Sequence, residues 1–146
     1  MSNVSNYFEQ PTSNSNNNVL VLGGSVNTAN GQSLKKVYLT AQIEDISTAG
    51  QTYVVSPVSG TITKIYSVLN GAITTANAIL TPKINGAAIT NASITIAHAG
   101  SIAGEIDFSI PTALNTVETG QAIEIETDGG SNGSVKTIIT IEITLS

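Results

Sequence analysis

The sequence predicts an all-β protein: an antiparallel β-sandwich, jelly-roll-like, with an extended N-terminal arm. Three observations carry that expectation. After Lys35 apolar residues recur with a period of two, the alternating segments are crowded with isoleucine, valine and threonine, and glycine punctuates them at intervals of roughly 8–12 residues. β-Branched side chains suit a pleated surface and lose rotamer freedom in a helix, so composition and period agree.

The first 34 residues differ from the rest. Ser13-Asn14-Ser15-Asn16-Asn17-Asn18 is a polar run that cannot offset its ordering entropy by burial, and it is followed by the apolar patch Val19-Leu20-Val21-Leu22 and then Gly23-Gly24. The division expected is therefore an arm over 1–34, flexible alone and docking on a partner, and a sandwich over 35–146. Val19, Leu20, Val21 and Leu22 are the partner-binding candidates. The patch has no alternating neighbour in its own segment and the length of one added strand, so it gains most by pairing with a foreign strand edge or an adjacent subunit.

Lys36–Glu44 alternates strictly, with Val37, Leu39, Ala41 and Ile43 on one face and Lys36, Tyr38, Thr40, Gln42 and Glu44 on the other. Further strands are expected at Thr52–Ser56, Gly60–Leu69, Ala78–Ile84, Ala87–Ile89, Ser93–His98, Glu105–Ile110, Ala122–Thr127 and Val135–Leu145. Asn70-Gly71 and Asn85-Gly86 are hairpin signals, because both central residues of a type I′ turn need positive φ. Ile73–Leu80 has a faint helical spacing, but Pro82 and two threonines make it a loop entering a strand. Ile138 interrupts the polar face of the last strand beside Thr140 and Glu142, which predicts apolar surface that one sandwich does not hide.

Composition excludes several functions. The chain is 40% hydrophobic and only 10% charged, with a net charge of −5 and no cysteine, tryptophan or arginine. Without cysteine there is no disulfide, thiolate metal site or cysteine nucleophile, and an acidic chain without arginine repels phosphate, so nucleic acid is not an expected partner. No stretch approaches the roughly 18 consecutive apolar residues that span a bilayer, so no membrane partner is expected either. The first ten residues show no basic or apolar leader, which places synthesis in a cytoplasm.

Candidate chemistry is sparse. His98 is the single histidine, on the face of Ile94 and Ile96 at a strand end, and a rim histidine accounts for it; one His98 from each subunit on a threefold axis is the sharp alternative. Glu105 and Asp107 lie two apart on one strand and Glu124 and Glu126 two apart on another. Such pairs could work as acid and base on a glycoside or bind calcium with Asp128 and the Gly129–Gly133 loop. Alternation alone places them on a solvated face opposite the isoleucines. Phe108 is expected to share the core face with Ile106 and Ile110, and Tyr38 to face outward. With 4% aromatic residues and no tryptophan, a sugar platform has little to stack on. The expectation is no enzyme, no catalytic residue, no cofactor and no metal.

Ser59-Gly60-Thr61-Ile62-Thr63-Lys64-Ile65-Tyr66-Ser67-Val68-Leu69-Asn70-Gly71, then Ile84-Asn85-Gly86-Ala87-Ala88-Ile89, and Val117-Glu118-Thr119-Gly120-Gln121 leading through Ala122–Thr127 to Asp128-Gly129-Gly130 together resemble the small jelly-roll decoration (cement) or head-fibre proteins of tailed-bacteriophage capsids. The resemblance covers about 52–146. It implies a homotrimer on the outer capsid surface of the virion that stabilises the shell by bridging major capsid protein subunits. The alternative is a carbohydrate-binding or host-adhesion module of a head or tail fibre, with a host-surface glycan as its partner.

Overall fold

The computed structural model describes residues 20–22, 25–27 and 35–146, and it divides into one compact unit before Lys36 and another over Lys36–Ser146. In the first unit, β1 (Leu20–Leu22) pairs antiparallel with β2 (Ser25–Asn27), with Leu22 opposite Ser25. The expectation that the patch lacks a neighbour in its own segment is thereby corrected for Leu20–Leu22. The signal was in the sequence, since Gly23-Gly24 is a two-residue pair of the kind hairpin connections use. Val19 and the Ser13–Asn18 run lie outside the described residues.

The second unit contains β3 (Lys36–Ile43), β4 (Gly50–Val55), β5 (Gly60–Leu69), β6 (Ala78–Ile84), β7 (Ala87–Ala88), β8 (Ile94–Ile96), β9 (Ile106–Ser109), β10 (Thr116–Val117), β11 (Ala122–Thr127) and β12 (Thr137–Leu145). The first sheet runs β3-β12-β5, and the far edge of β5 is shared by β9 and β10. The second runs β4-β11-β6, and the far edge of β6 is shared by β7 and β8. Every pairing is antiparallel, and six of them nest in sequence, β3 with β12, β4 with β11, β5 with β9 and β10, and β6 with β7 and β8, while β12 also pairs with β5 and β11 with β6 to join the nested pairs into sheets. One long hairpin wound into two packed sheets has this order, which is that of a jelly roll.

Isoleucine dominates the core. Ile62, Ile65, Ile139, Ile141 and Ile143 of the first sheet are fully buried against Ile94, Ile96, Ile123 and Ile125 of the second, with Ile46 and Ile73 closing the ends from loops. Among the described residues no aromatic ring is in the buried core; Tyr38, Tyr53 and Phe108 are all more than half exposed. Aromatic rings carry the largest apolar area of any side chain, so their placement on outer faces leaves that area in water.

Two local features set the geometry of the first sheet. Between Glu142 and Ile143 the register of β12 against β5 shifts, opposing Lys64 and then Ile62, so Thr63 is an extra residue that lets Ile62 and Ile65 both point inward. At Gly60 the strands approach so closely that a Cβ would overlap the Thr144 carbonyl oxygen and lie 2.8 Å from Ile143 Cγ2. On the other sheet, Asn85 and Gly86 adopt φ of 52° and 76°, the positive values that their hairpin between β6 and β7 requires.

Candidate functional site

Strand β9 reverses the expected facing. Ile106, Phe108 and Ile110 are 64%, 55% and 57% exposed, whereas Ser109 is buried and Asp107 half-buried. Register explains it: Ser109 stands opposite the core residue Ile65, and Asp107 opposite buried Ser67. The Ser109 hydroxyl donates to the Ala92 carbonyl at 2.7 Å, anchoring that edge. Alternation tells which residues share a face, and here the register against β5 sets which face turns inward.

The consequence is an apolar quarter on the outer face of the first sheet. Along the rows of the ladder, Ile138 of β12 stands beside Val68 of β5 and then Ile106 of β9, and in the next row Thr140 stands beside Tyr66 and then Phe108. Tyr66, Val68, Ile106, Ile138 and Thr140, with Ser67, line a shallow, nearly wholly apolar groove of about 220 Å3. The Tyr66 and Phe108 rings lie 6.2 Å apart at a tilt of 48°, and Lys64 Nζ sits 4.1 Å from the Phe108 centroid and 4.7 Å from that of Tyr66. Lys64 makes no ion pair among the described residues, so its charge rests against the two ring faces and the solvent. Tyr66 and Phe108 are opposite each other in the ladder, where cross-strand aromatic pairs stabilise a sheet by roughly 0.2–1 kcal/mol.

The neighbouring row is polar and rigid. Glu142, only 8% exposed, accepts hydrogen bonds from Thr63 Oγ1 at 2.6 Å, Lys36 Nζ at 2.9 Å and Tyr38 OH at 3.1 Å. The Thr63 hydrogen bond, followed by that of Lys36, holds the Glu142 carboxyl below the usual carboxylate range. The same carboxylate raises Lys36 and raises Tyr38, which donates to it. Tyr38 faces outward as the alternation predicts, but the cluster around Glu142 was not legible, because it needs the register of three strands that are far apart in sequence.

The acidic pairs are only partly as expected. Glu124 and Glu126 are half-exposed on the outer face of the second sheet, where Lys83 Nζ lies 2.5 Å from Glu126. Asp107 is the correction: it is not on the solvated face. Burial, followed by the nearby Glu105 charge, pushes its carboxyl above the usual range. Its Oδ2 and the Ser67 Oγ across the ladder are both buried without a hydrogen-bond partner. Glu105 Oε2 accepts from the Ile102 amide at 3.2 Å. Asp128 Oδ1 accepts from the amides of Ile79 and Gly130 at 2.9 and 3.1 Å, so this carboxylate braces its own loop.

His98 does not share the face of Ile94 and Ile96, because β8 stops at Ile96 and the imidazole is exposed beyond it, with Nδ1 2.9 Å from Asn77 Oδ1. Among the described residues no three histidine, aspartate or glutamate side chains converge as a metal site would require. Of the partner-binding candidates, Leu20, Val21 and Leu22 form β1, with one edge occupied by β2. No family model matches this chain, and no curated protein matches it.

Proposed function

We propose that the chain is a structural virion protein, a homotrimeric decoration protein that stabilises a bacteriophage capsid by bridging major capsid protein subunits from the outer surface. The observation that carries the reading is the outer face of the first sheet, where Ile106, Phe108 and Ile138 stand exposed around an apolar groove. A surface of that kind serves association, since apolar area removed from water contributes about 25 cal/mol per Å2. The jelly-roll strand order and the turn motifs over 52–146 agree with the decoration-protein resemblance. Residues 1–34 supply the attachment arm, with Val19–Leu22 as the strand offered to a partner edge; synthesis is in the host cytoplasm. Co-sedimentation with capsids tests the division of labour. Deleting 1–34 should leave the β-sheet circular dichroism of 36–146 intact and abolish capsid binding, and full occupancy by the truncated protein would refute it.

A second reading, a glycan-binding adhesion module, is favoured by one feature: the adjacent Tyr66 and Phe108 rings beside the groove. Sugar binding that is lost in Phe108→Ala, with no capsid binding by the parent protein, would select it.

A further inference from the structure

We propose that the two outer faces of the sandwich are complementary halves of one contact, so that the first-sheet face of one copy seats head to tail on the second-sheet face of another. The first-sheet face offers the groove between Val68, Ile106 and Ile138, with the cation of Lys64 at its border. Its volume of about 220 Å3 exceeds the roughly 150 Å3 that admits a benzene ring. The second-sheet face offers what the groove lacks. Tyr53 and Val55 of β4 project from it, each 58% exposed, although the Val54 side chain between them packs on the core.

Charge is complementary as well. In the first sheet Lys36 and Glu142 neutralise one another, which leaves Lys64 as an unpaired positive charge beside the groove. In the second, Lys83 lies beside two carboxylates: it is bound to Glu126, while Glu124 lies next to Tyr53 in the ladder and has no ion pair of its own among the described residues. Seating Tyr53 in the groove thus brings a face with excess negative charge onto one with excess positive charge. Both halves belong to the same chain, which is why the occupant is a second copy. Because the two halves differ, the contact is heterologous, and repeating it closes a ring when the rotation between copies divides a full turn. The inference rests on the homotrimer of the capsid reading and names its contact, whereas co-sedimentation with capsids tests attachment separately.

Sedimentation velocity on the full chain tests it, with Ile106→Asp closing the groove and Tyr53→Asp removing the projecting ring. The wild type should sediment as an oligomer larger than a dimer of the 14.9 kDa chain, and each variant as a monomer with unchanged circular dichroism. Mixed in equal amounts, the two monomeric variants should form a one-to-one heterodimer and nothing larger, because Ile106→Asp keeps an intact second-sheet face and Tyr53→Asp an intact groove. Lys64→Glu should weaken association by roughly tenfold, and adding Glu124→Lys should restore it. A monomeric wild type, variants that stay monomeric when mixed, or oligomers that survive Tyr53→Asp but not Ile106→Asp would each overturn the proposal, the last by showing that the groove face pairs with itself.

Discussion

Replacing Glu142 by glutamine should destabilise the fold at neutral pH and leave less of a deficit in acid. The carboxylate is almost fully covered and accepts from two hydroxyls and one ammonium. The Lys36 side chain is 48% exposed, so solvent screens that pair and it contributes little. The hydrogen bond from Thr63 to this charged acceptor is worth about 1.5 kcal/mol at the low end, that from exposed Tyr38 adds less, and glutamine keeps one acceptor oxygen for one of them. The net loss is about 1–2 kcal/mol, or roughly 5–10 °C in melting temperature for a unit of this size. Because the folded-state carboxyl titrates below its ordinary 4.5, its contribution is present above that value and is lost as pH falls through the lower one. Thermal melts followed by circular dichroism at fixed protein concentration should show the gap between wild type and Glu142→Gln narrowing steadily below about pH 4.5. Equal stability at pH 7, or a gap that does not change on acidification, would refute the reasoning.

Asp107→Asn should raise stability at pH 7 by about 1 kcal/mol, since it removes a charge from a half-buried site with an unpartnered oxygen. The wild-type penalty is absent below pH 3.8 and grows as pH rises through the elevated folded-state value, so the two proteins should converge in acid in urea titrations. Gly60→Ala should cost about 1–3 kcal/mol in the same assay, because its Cβ meets the Thr144 carbonyl, which is fixed in the ladder. Glu126→Gln should change stability by less than about 0.5 kcal/mol, as the Lys83 pair lies on an outer face.

Much of the sandwich was legible because its signals are local. The alternation of Lys36–Ile43 places Val37, Leu39, Ala41 and Ile43 on the inner side, and the strands expected at Gly60–Leu69 and Ala78–Ile84 have those bounds. What was not legible depends on pairing. The direction in which β9 faces follows from Ser109 lying opposite Ile65 and from its bond to the Ala92 carbonyl, neither of which a single segment contains. Reversing that one strand moved Ile106 and Phe108 from the expected core onto the surface and created the candidate site. The bulge at Thr63 had a sequence trace, the three-residue spacing of Ile62 and Ile65, which breaks a period of two. The Glu142 cluster had none, because β3, β5 and β12 meet only through the jelly-roll winding.

The central claim, that this protein decorates and stabilises a capsid, is tested most directly by heating capsids stripped of it, with and without the purified chain added back, and recording the temperature at which they release their DNA. Stabilisation by subunit bridging predicts a rise that saturates at a fixed ratio of chain to capsid. No shift at saturating concentration would contradict the claim.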